Sequence, residues 1–263
     1  MIKLNGKRVE ISSYTDGTLD LIQADPHSEN DPIIGWWYEN DSELFALYSL
    51  KQHLQRFGYD KVHLFMPYIP NARMDRVKRP EDVFTLKYFA EFINFMSFAS
   101  VTVLDPHSTV SEALIENIQI IRPGSYIKEA IRRINSSNLL MFYPDEGAMK
   151  RYSGAVNIPY AFGFKRRDWQ TREILELEIM GAKDLIKGSD ILIADDICAK
   201  GDTALYTAKT LKAHGAEKVY LFVTHCENTI SKNEVLTTGL IEQVYTTDSI
   251  CTTQHERLEV FHI

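Results

Sequence analysis

Two adjacent acidic residues followed by a short glycine-containing loop form the part of this sequence with the clearest chemical content. Asp195 and Asp196 follow an apolar run, and the residues that come next include Gly201 and Thr203. Carboxylates in this position can accept hydrogen bonds from ribose hydroxyls, while loop amides and a threonine hydroxyl can bind a phosphate. The pattern predicts a sugar-phosphate site. An ordinary strand-to-helix turn with an acidic helix cap is the alternative.

Strand-like and helix-like segments alternate along most of the chain and must position these residues. The alternation predicts an α/β fold with mainly parallel sheets. Strands are predicted at 61–66, 101–104, 139–143, 191–194, 219–223 and 243–247. Helices are predicted at 44–57, 83–97 and 203–214 from apolar spacings of three or four residues. Ligands bind at the carboxyl ends of the strands in such sheets, which is where this chain carries several charged residues.

The second half of the chain repeats the plan of the first half without repeating its sequence. The polar residues 135–138 separate the halves, which predicts two domains of ordinary size, 1–136 and 137–263. A turn is predicted at 144–147, directly after the strand 139–143. This organisation favours a two-domain enzyme that acts on a small molecule.

Composition excludes several classes of protein. The chain has 263 residues, of which 44% are hydrophobic and 25% are charged, values close to those of folded domains and unlike those of collagen-like or disordered chains. The formal net charge of -7 argues against a nucleic-acid partner, because phosphate neutralisation needs an excess of basic residues.

The sequence also carries signals about its compartment. We find no apolar run long enough to span a bilayer, and residues 1–13 alternate polar and apolar types instead of presenting a signal segment. The three cysteines are odd in number and lack C-x-x-C spacing, which indicates free thiols. We therefore expect a cytoplasmic protein without a membrane partner.

Five further segments, in order along the chain, match the motifs of one enzyme family. Residues 14–17 resemble its adenine-binding stretch, residues 67–76 its ATP segment, and residues 105–107 its aspartate-leucine-histidine metal motif. Residues 144–148 resemble its proline-aspartate-x-glycine-glycine turn, and residues 165–167 match the lysine-arginine-arginine of its catalytic flexible loop. Together with the acidic loop, these segments resemble the ribose-phosphate diphosphokinases, also called phosphoribosyl pyrophosphate synthetases.

The resemblance implies a fold and a reaction. The fold would be two tandem type I phosphoribosyltransferase-like domains, the first binding ATP and the second binding a ribose phosphate. The reaction would be Mg²⁺-dependent transfer of the β,γ-diphosphoryl group of ATP to the anomeric hydroxyl of a ribose 5-phosphate unit, with release of AMP. Such chemistry asks the protein mainly for positioning and charge neutralisation.

The resemblance also implies roles for individual residues. Lys165 and Arg167 would be catalytic, and Mg²⁺ would be held by His107 and Asp145. The ATP-binding residues would be Asp16, Arg73, Asp75, Arg76 and His107. The ribose-phosphate-binding residues would be Asp195, Asp196, Ala199, Lys200, Gly201, Asp202 and Thr203. In the family the residue that matches Asp16 contacts adenine from a neighbouring subunit, so a homo-oligomer is implied as well.

Each of these roles has a structural alternative. His107 follows a proline and could be a turn histidine, and Lys165 begins a run of three cations that could be a solvated surface. Asp16 and Asp145 could each simply form a turn. Cys198 lies inside the predicted loop, but no histidine partner is evident, so we interpret it as a packing residue.

The loop departs from the family pattern at Lys200 and Asp202. The family has small or hydroxyl-bearing residues there, and a carboxylate beside a phosphomonoester dianion is repulsive. A phosphodiester carries less charge, which favours an extended acceptor such as ADP-ribose, the substrate of phage-associated relatives that rebuild NAD⁺. Met74 and Thr18 also replace the glutamine and glutamate that are usual in the family.

Two hypotheses from other functional classes stay open. A plain phosphoribosyltransferase would release no AMP, and the ATP-like motifs of the first half argue against it. A non-catalytic regulatory homologue would not bind Mg²⁺-ATP, and the joint retention of Lys165, Arg167, His107, Asp145 and Asp195 argues against that reading.

Overall fold

The chain folds into two compact units, Met1–Arg122 and Pro123–Ile263. The computed structural model describes residues 1–167 and 174–263, and for Leu21, 165–167 and 174–177 it describes the backbone alone. The division between the two units falls after Arg122, whereas the sequence predicts a boundary at residue 136.

Helix packing explains the earlier boundary. The helix Gly124–Ile134 buries Ile127 and Ala130 in the same core as Met141 and Phe222 of the second unit. The polar residues 135–138, predicted as the seam, are instead the loop between this helix and the next strand. Asn135 ends the helix with φ 49°, a left-handed conformation that asparagine tolerates.

The first unit contains a sheet whose strands run in the order β2-β1-β5-β6-β7-β8 in the described residues. Strands β5 to β8 are parallel to one another, whereas β1 pairs antiparallel with β2 and β5. Strands β3 and β4 form a separate hairpin. The strands are β1 (Ile2–Leu4), β2 (Lys7–Arg8), β3 (Glu10–Ser13), β4 (Leu19–Gln23), β5 (Ile33–Trp36), β6 (His63–Met66), β7 (Ser100–Leu104) and β8 (Ile118–Ile121). The helices are α1 (Glu43–Arg56), α2 (Thr85–Phe95) and α3 (Thr109–Leu114).

The helices α1 and α2 pack on one face of this sheet. Leu50 of α1 and Phe89 of α2 share a core with the alternate strand residues Ile34, Leu64 and Val101. Strands β5 to β8 are added one after another in the same direction, so right-handed connections place their helices on the same side. The opposite face carries a different set of side chains, among them His63, Phe65 and Thr102.

The second unit contains a sheet in the order β11-β10-β9-β12-β13-β14-β15, again for the described residues. All neighbouring strands are parallel except β10 and β11. The strands are β9 (Leu139–Tyr143), β10 (Tyr160–Arg167), β11 (Ile174–Gly181), β12 (Asp190–Cys198), β13 (Val219–Cys226), β14 (Val244–Thr247) and β15 (Leu258–Phe261). The helices are α4 (Gly124–Ile134), α5 (Glu146–Tyr152) and α6 (Asp202–Ala213), with 3-10 turns at Lys183–Leu185 and Asn228–Lys232.

Both faces of the second sheet are covered. Helix α6 packs on one face, where Ala208 and Leu211 meet Ile193 and Leu221. Helices α4 and α5 pack on the other face, where Ala148 lies in the core with Leu192 and Phe222. The α/β class with mainly parallel sheets, expected from the alternation of segments, is confirmed.

The three cysteines are buried together in the second unit. Cys198 of β12 faces Cys226 of β13 in the parallel register, and the Cys226 thiol also contacts that of Cys251. Their exposed fractions are 4%, 0% and 3%, and all three are free thiols. The interpretation of Cys198 as a packing residue agrees with this burial. Separately, the described helices include none that is both long enough and apolar enough to cross a bilayer.

Candidate functional site

The acidic pair and the loop after it come together at the carboxyl end of β12. The sequence predicts that this strand ends before the acidic pair. In the structure it continues through Asp195 and Asp196 to Cys198. Helix α6 begins at Asp202, so the loop is only 199–201. Such a link between a parallel strand and a helix N-terminus is a common position for a bound phosphate.

Gly201 shapes this loop. Its φ is +80°, and a β-carbon built on it would lie 2.2 Å from the Cγ2 of Val235. Both the left-handed backbone and the close approach of Val235 therefore require glycine. The Gly201 carbonyl accepts a hydrogen bond from the amide of Leu205, while the amides of the first helical turn have no partner within the helix and are available to an anion.

Two later segments of the chain hold the loop in place. The Thr229 hydroxyl donates to the Ala199 carbonyl over 3.0 Å, and the Glu227 amide donates to the Cys198 carbonyl over 2.9 Å. Asn228 in turn accepts hydrogen bonds at its Oδ1 from the amides of Thr252 and Thr253. Sequence analysis missed these residues, because no local pattern reveals contacts between positions about 25 to 30 apart.

The two carboxylates of the acidic pair have different surroundings. Asp196 is 4% exposed, and its Oδ2 lies 3.3 Å from Nη2 of Arg151. Asp195 is half-buried, and its Oδ1 accepts a hydrogen bond from the Asp196 amide. The resemblance implied the same role for both residues, whereas the structure gives Asp196 a half-buried ionic partner and leaves Asp195 the more accessible of the two.

Asp145 caps a helix that sequence analysis did not predict. The segment 144–147 was predicted to be a turn, but residues Glu146–Tyr152 form α5, and the Asp145 Oδ1 accepts from the Ala148 amide over 2.9 Å. An aspartate cap followed by basic residues in the last turn is a helix signal that was overlooked. Arg151, the partner of Asp196, lies on this helix and was missed for the same reason.

Lys165 and Arg167 lie on β10, not in a loop. Their backbones pair with Leu177 and Ile174 of β11, with a register shift between Arg166 and Arg167. Their side chains and residues 168–173 lie outside the described residues, so the catalytic roles that the resemblance implies stay predictions. Lys200 and Asp202 are exposed on either side of Gly201, and Thr203 is half-buried in the first turn of α6.

In the first unit, the segments after β6 and β7 are joined through Asp75. Its carboxylate, 6% exposed, accepts two hydrogen bonds from the Arg76 guanidinium, Nε to Oδ1 at 2.7 Å and Nη2 to Oδ2 at 2.8 Å. The Arg76 hydrogen bonds lower the pKa of Asp75, and a hydrogen bond from Ser108 and the charge of His107 act in the same direction. Asp75 therefore binds protein partners, while the Arg76 side chain remains 66% exposed.

The other implied ATP-binding residues are placed differently. Arg73 is exposed and His107 is half-buried. Asp16 lies in the turn of the β3–β4 hairpin, which joins neither of the larger sheets among the described residues. Its Oδ1 accepts from both the amide and the hydroxyl of Thr18, which lowers its pKa. These two hydrogen bonds are sufficient to explain why an aspartate occupies this turn. Adenine binding by Asp16 therefore stays a prediction.

The donor atoms of the second unit fit Mg²⁺ only in part. No group of three or more His, Cys, Asp or Glu side chains in the described part of the chain is arranged to hold a metal ion. Mg²⁺ prefers oxygen ligands, keeps several waters and is bound by one or two carboxylates with substrate phosphates. The carboxylates of Asp145 and Asp195 meet that description, whereas His107, which lies in the first unit, offers an imidazole nitrogen and is a poorer match.

Comparison with known proteins supports the expected resemblance. No protein-family model matches the chain. The chain is 25% identical over 220 residues to the ribose-phosphate pyrophosphokinase of Thermococcus kodakarensis, covering 82% of this chain and 77% of that protein. It is 24% identical over 252 residues to that of Sulfurisphaera tokodaii, covering 92% and 84%.

A solved structure matches almost the whole chain. Phosphoribosylpyrophosphate synthetase from Mycobacterium smegmatis superposes with a TM-score of 0.80 at 17% identity, covering 97% of this chain and 86% of that one. The chain has the fold of a phosphoribosylpyrophosphate synthetase. The expectation of two tandem type I phosphoribosyltransferase-like domains is thereby confirmed. The similarity to ribose-phosphate pyrophosphokinases supports the resemblance drawn from the motifs, and the phage-associated branch stays a prediction.

Proposed function

We propose that this chain is a ribose-phosphate diphosphokinase that transfers the β,γ-diphosphoryl group of ATP to the anomeric hydroxyl of ribose 5-phosphate. The observation that carries the proposal is the junction of β12 and α6, where Asp195 precedes a loop fixed around Gly201 in a chain with the synthetase fold. The similarity to proteins named ribose-phosphate pyrophosphokinase supports the same reaction.

In the proposed reaction the anomeric oxygen of the acceptor attacks the β-phosphorus of ATP. The bond between that phosphorus and the oxygen bridging it to the α-phosphorus breaks, AMP leaves with the electron pair, and the hydroxyl proton passes to solvent. The products are phosphoribosyl pyrophosphate and AMP. Magnesium, when bound with ATP, neutralises phosphate charge and orients the diphosphoryl group.

Residues of the second unit would bind the acceptor. Asp195 would accept hydrogen bonds from ribose hydroxyls, and the amides at the start of α6 with the Thr203 hydroxyl would bind the 5-phosphate. Arg151 holds the buried Asp196 beside this site. Asp145 would bind magnesium directly or through water, and Lys165 and Arg167 would neutralise charge on the transferred group.

Residues of the first unit would bind ATP. Arg73 and Arg76 are both exposed after β6, and guanidinium groups suit the phosphates of a nucleotide. Asp75 would keep Arg76 oriented, because the bidentate pair of hydrogen bonds between them restricts the plane of the guanidinium group. His107 contributes its charge to the same cluster when it is protonated.

The loop charges favour ADP-ribose as a second candidate acceptor. Asp202 is exposed in the first turn of α6, next to the position where the 5-phosphate would bind. A dianionic monoester is repelled there more strongly than the singly charged diester of ADP-ribose. With that acceptor the same reaction would give ADP-ribose pyrophosphate, a compound suited to rebuilding NAD⁺.

The first experiment is a chromatographic assay with Mg²⁺-ATP and either ribose 5-phosphate or ADP-ribose. AMP release and a product heavier than the acceptor by one diphosphate group would establish the reaction and identify the acceptor. AMP from neither acceptor, with Mg²⁺-ATP still bound, would refute the proposal. A transferase would instead consume phosphoribosyl pyrophosphate, and a regulatory homologue would fail to bind Mg²⁺-ATP.

Two variants sharpen this assay. Asp195→Asn should lower kcat/KM for the acceptor by about tenfold or more, because a charge-assisted hydrogen bond is lost, whereas Asp184→Asn, an exposed aspartate in the same unit, should not change it. Asp202→Asn should raise kcat/KM for ribose 5-phosphate more than it raises kcat/KM for ADP-ribose. An equal effect on both acceptors would contradict the charge argument for ADP-ribose.

A further inference from the structure

The face of the first sheet opposite α1 and α2 contains a cavity of about 560 Å³. This volume falls in the range of small-molecule binding sites, roughly 300–1,000 Å³. The cavity is lined from β1, β5, β6, β7 and β8, and within the described part of the first unit no helix packs on this face. It is separate from the segments after β6 and β7 to which ATP binding is assigned above.

Aromatic side chains form one side of the cavity. The rings of Trp37 and Phe65 meet edge to face at 5.6 Å between centroids. Gly35 makes room for this arrangement, since a β-carbon there would lie 2.7 Å from the Trp37 ring. The Trp37 ring is therefore held across strand β5 by the absence of a side chain at Gly35, which fixes the ring as part of the cavity wall.

Polar side chains form the other side. His63 Nδ1 lies 2.7 Å from the Ser100 hydroxyl, and the Thr102 hydroxyl lies 3.4 Å from the Gln119 side-chain oxygen. On the face of the same strands that packs against α1 and α2, the alternate positions are apolar, as at Leu64 and Val101. Polar groups spaced beside an aromatic surface are typical of a site that orients a small ligand.

The charge of the cavity indicates which ligands it favours. Lys3 is the single formally charged side chain in the described lining, and its Nζ lies 4.1 Å from the centre of the Trp37 ring. Asp31, whose Oδ2 is 3.9 Å from His63 Nε2, is 54% exposed and outside the lining. In a chain with net charge -7, this local positive charge beside an aromatic surface favours an anionic ligand over a neutral or cationic one.

We propose that this cavity binds a small planar aromatic molecule that carries one anionic group, a carboxylate or a phosphate. The ring packs against Trp37 and Phe65, the anionic group lies near Lys3, and polar ring atoms bind the row from His63 to Gln119. The proposal does not depend on the diphosphokinase activity, because none of the lining residues belongs to the site assigned to that reaction.

The test is a calorimetric titration of the full chain with matched indole probes. Indole-3-acetate and indoxyl phosphate supply the ring with a carboxylate or a phosphate, while indole alone and acetate alone supply the separate parts. We expect at least one of the two anionic probes to bind several-fold more tightly than indole, and the tighter of the two identifies the anion. No binding of either anionic probe in the millimolar range would overturn the proposal.

Paired lysine variants locate the binding. Lys3→Gln should weaken binding of the anionic probe about fivefold and leave indole unchanged. Lys7→Gln, an exposed lysine of the neighbouring strand outside the lining, should change neither. Equal effects of the two variants would show that the probes respond to overall charge, and the proposal would fail.

A second variant distinguishes a ligand site from a contact between copies of the chain. Thr102→Phe places a ring in the cavity and should abolish probe binding while the sedimentation behaviour of the protein stays the same. Loss of an oligomer in Thr102→Phe would instead show that a second copy covers this face, which would overturn the proposal. Backbone amide shifts on probe addition at Gly35 and Phe65, and not at Gly201, would support it independently of the variants.

Discussion

Val235 leaves no space for a side chain at Gly201, since a β-carbon at Gly201 would lie 2.2 Å from its Cγ2. The conformation of the loop between β12 and α6 is therefore fixed by the packing of Val235 as well as by the left-handed backbone of Gly201. The Thr229 hydroxyl and the Glu227 amide add two hydrogen bonds to the same loop. All of these contacts come from residues of the second unit.

Gly201→Ala should destabilise the second unit and weaken acceptor binding. The left-handed φ and the clash with Val235 together cost about 1–3 kcal/mol, part of which will be relieved by shifting the loop. Gly154→Ala, a position with nothing within 4 Å of the added carbon, is the matched control. Chemical denaturation and acceptor titration provide the measurements, and equal stabilities of the two variants would contradict the packing argument.

Arg151→Met should destabilise the protein more than the neighbouring Lys150→Met. Removing Arg151 takes away the guanidinium that lies 3.3 Å from the buried Asp196 carboxylate, and breaking such a pair costs roughly 3–5 kcal/mol when it is fully buried. Arg151 is 22% exposed, so we expect about 2–3 kcal/mol. Lys150 pairs with Glu146 at the surface, where the loss is about 0.5 kcal/mol or less.

The double variant Arg151→Met with Asp196→Asn tests the origin of that loss. Replacing the carboxylate by an amide removes the uncompensated charge, so part of the stability should return. Urea denaturation of the four proteins gives the coupling free energy directly. A double variant as unstable as the sum of the single variants would show that the two side chains act independently.

Lys51→Met should stabilise the first unit and remove part of its pH dependence. Lys51 is fully buried on α1, its Nζ has no hydrogen-bond partner among the described residues, and burial lowers its pKa. The unfolded state therefore binds more protons between that lowered pKa and about 10.4, so wild-type stability rises with pH in this window. The variant should lack that rise and gain about 1–2 kcal/mol at neutral pH.

The control for this prediction is Lys87→Met. Lys87 lies on α2, is 48% exposed and is 3.9 Å from Glu91, so its replacement should change stability by only a few tenths of a kcal/mol. Thermal unfolding measured from pH 7 to about pH 10.5 compares the three proteins. A slope in Lys51→Met that matches the wild type would mean that the amine is solvated in the native state.

Lys165→Ala should greatly lower turnover while ATP binding stays nearly unchanged. The family resemblance implies that the Lys165 charge acts on the transferred group, and such an interaction is worth most in the transition state. Lys183→Ala, an exposed lysine elsewhere in the same unit, is the control. Rates near the wild-type value in Lys165→Ala would show that the assignment of residues 165–167 is wrong.

Hydrophobic periodicity was sufficient to predict most of the central elements. The spacing of Leu47, Leu50 and Leu54 predicted α1, and these residues are buried in the core of the first unit. The strand predicted at 139–143 is β9 with the same bounds. These segments are long or strongly apolar, so local pattern and tertiary packing favour the same structure.

The misplaced elements share a different cause. Helix α5 has seven residues, too few for a clear apolar period. The sequence around its cap, Asp145, also fits the turn that is predicted there. Strand β12 continues through Asp195 and Asp196 because neighbouring β13 pairs with it as far as Cys226, a contact that no local pattern contains. The predicted boundary at residue 136 differs from the division after Arg122, because the polar residues after α4 do not reveal that Ile127 packs in the core of the second unit.

The candidate site was predictable only as a set of positions. The motifs gave Asp195, Gly201 and Asp145, but they did not reveal that Arg151 pairs with Asp196 or that Thr229 holds Ala199. These partners are distant in sequence and belong to elements whose local patterns are weak. Long-range contacts of this kind decide which of two adjacent carboxylates is the more accessible.

The burial of the three thiols in one unit provides a means of observing that unit alone. Cys198, Cys226 and Cys251 all lie in the second unit and are almost inaccessible, so a thiol reagent reacts with them only after that unit opens. The first unit, Met1–Arg122, has no cysteine in its sequence. The rate of labelling in native buffer therefore reports the opening equilibrium of the second unit, and any ligand that binds there should slow the labelling in proportion to its occupancy.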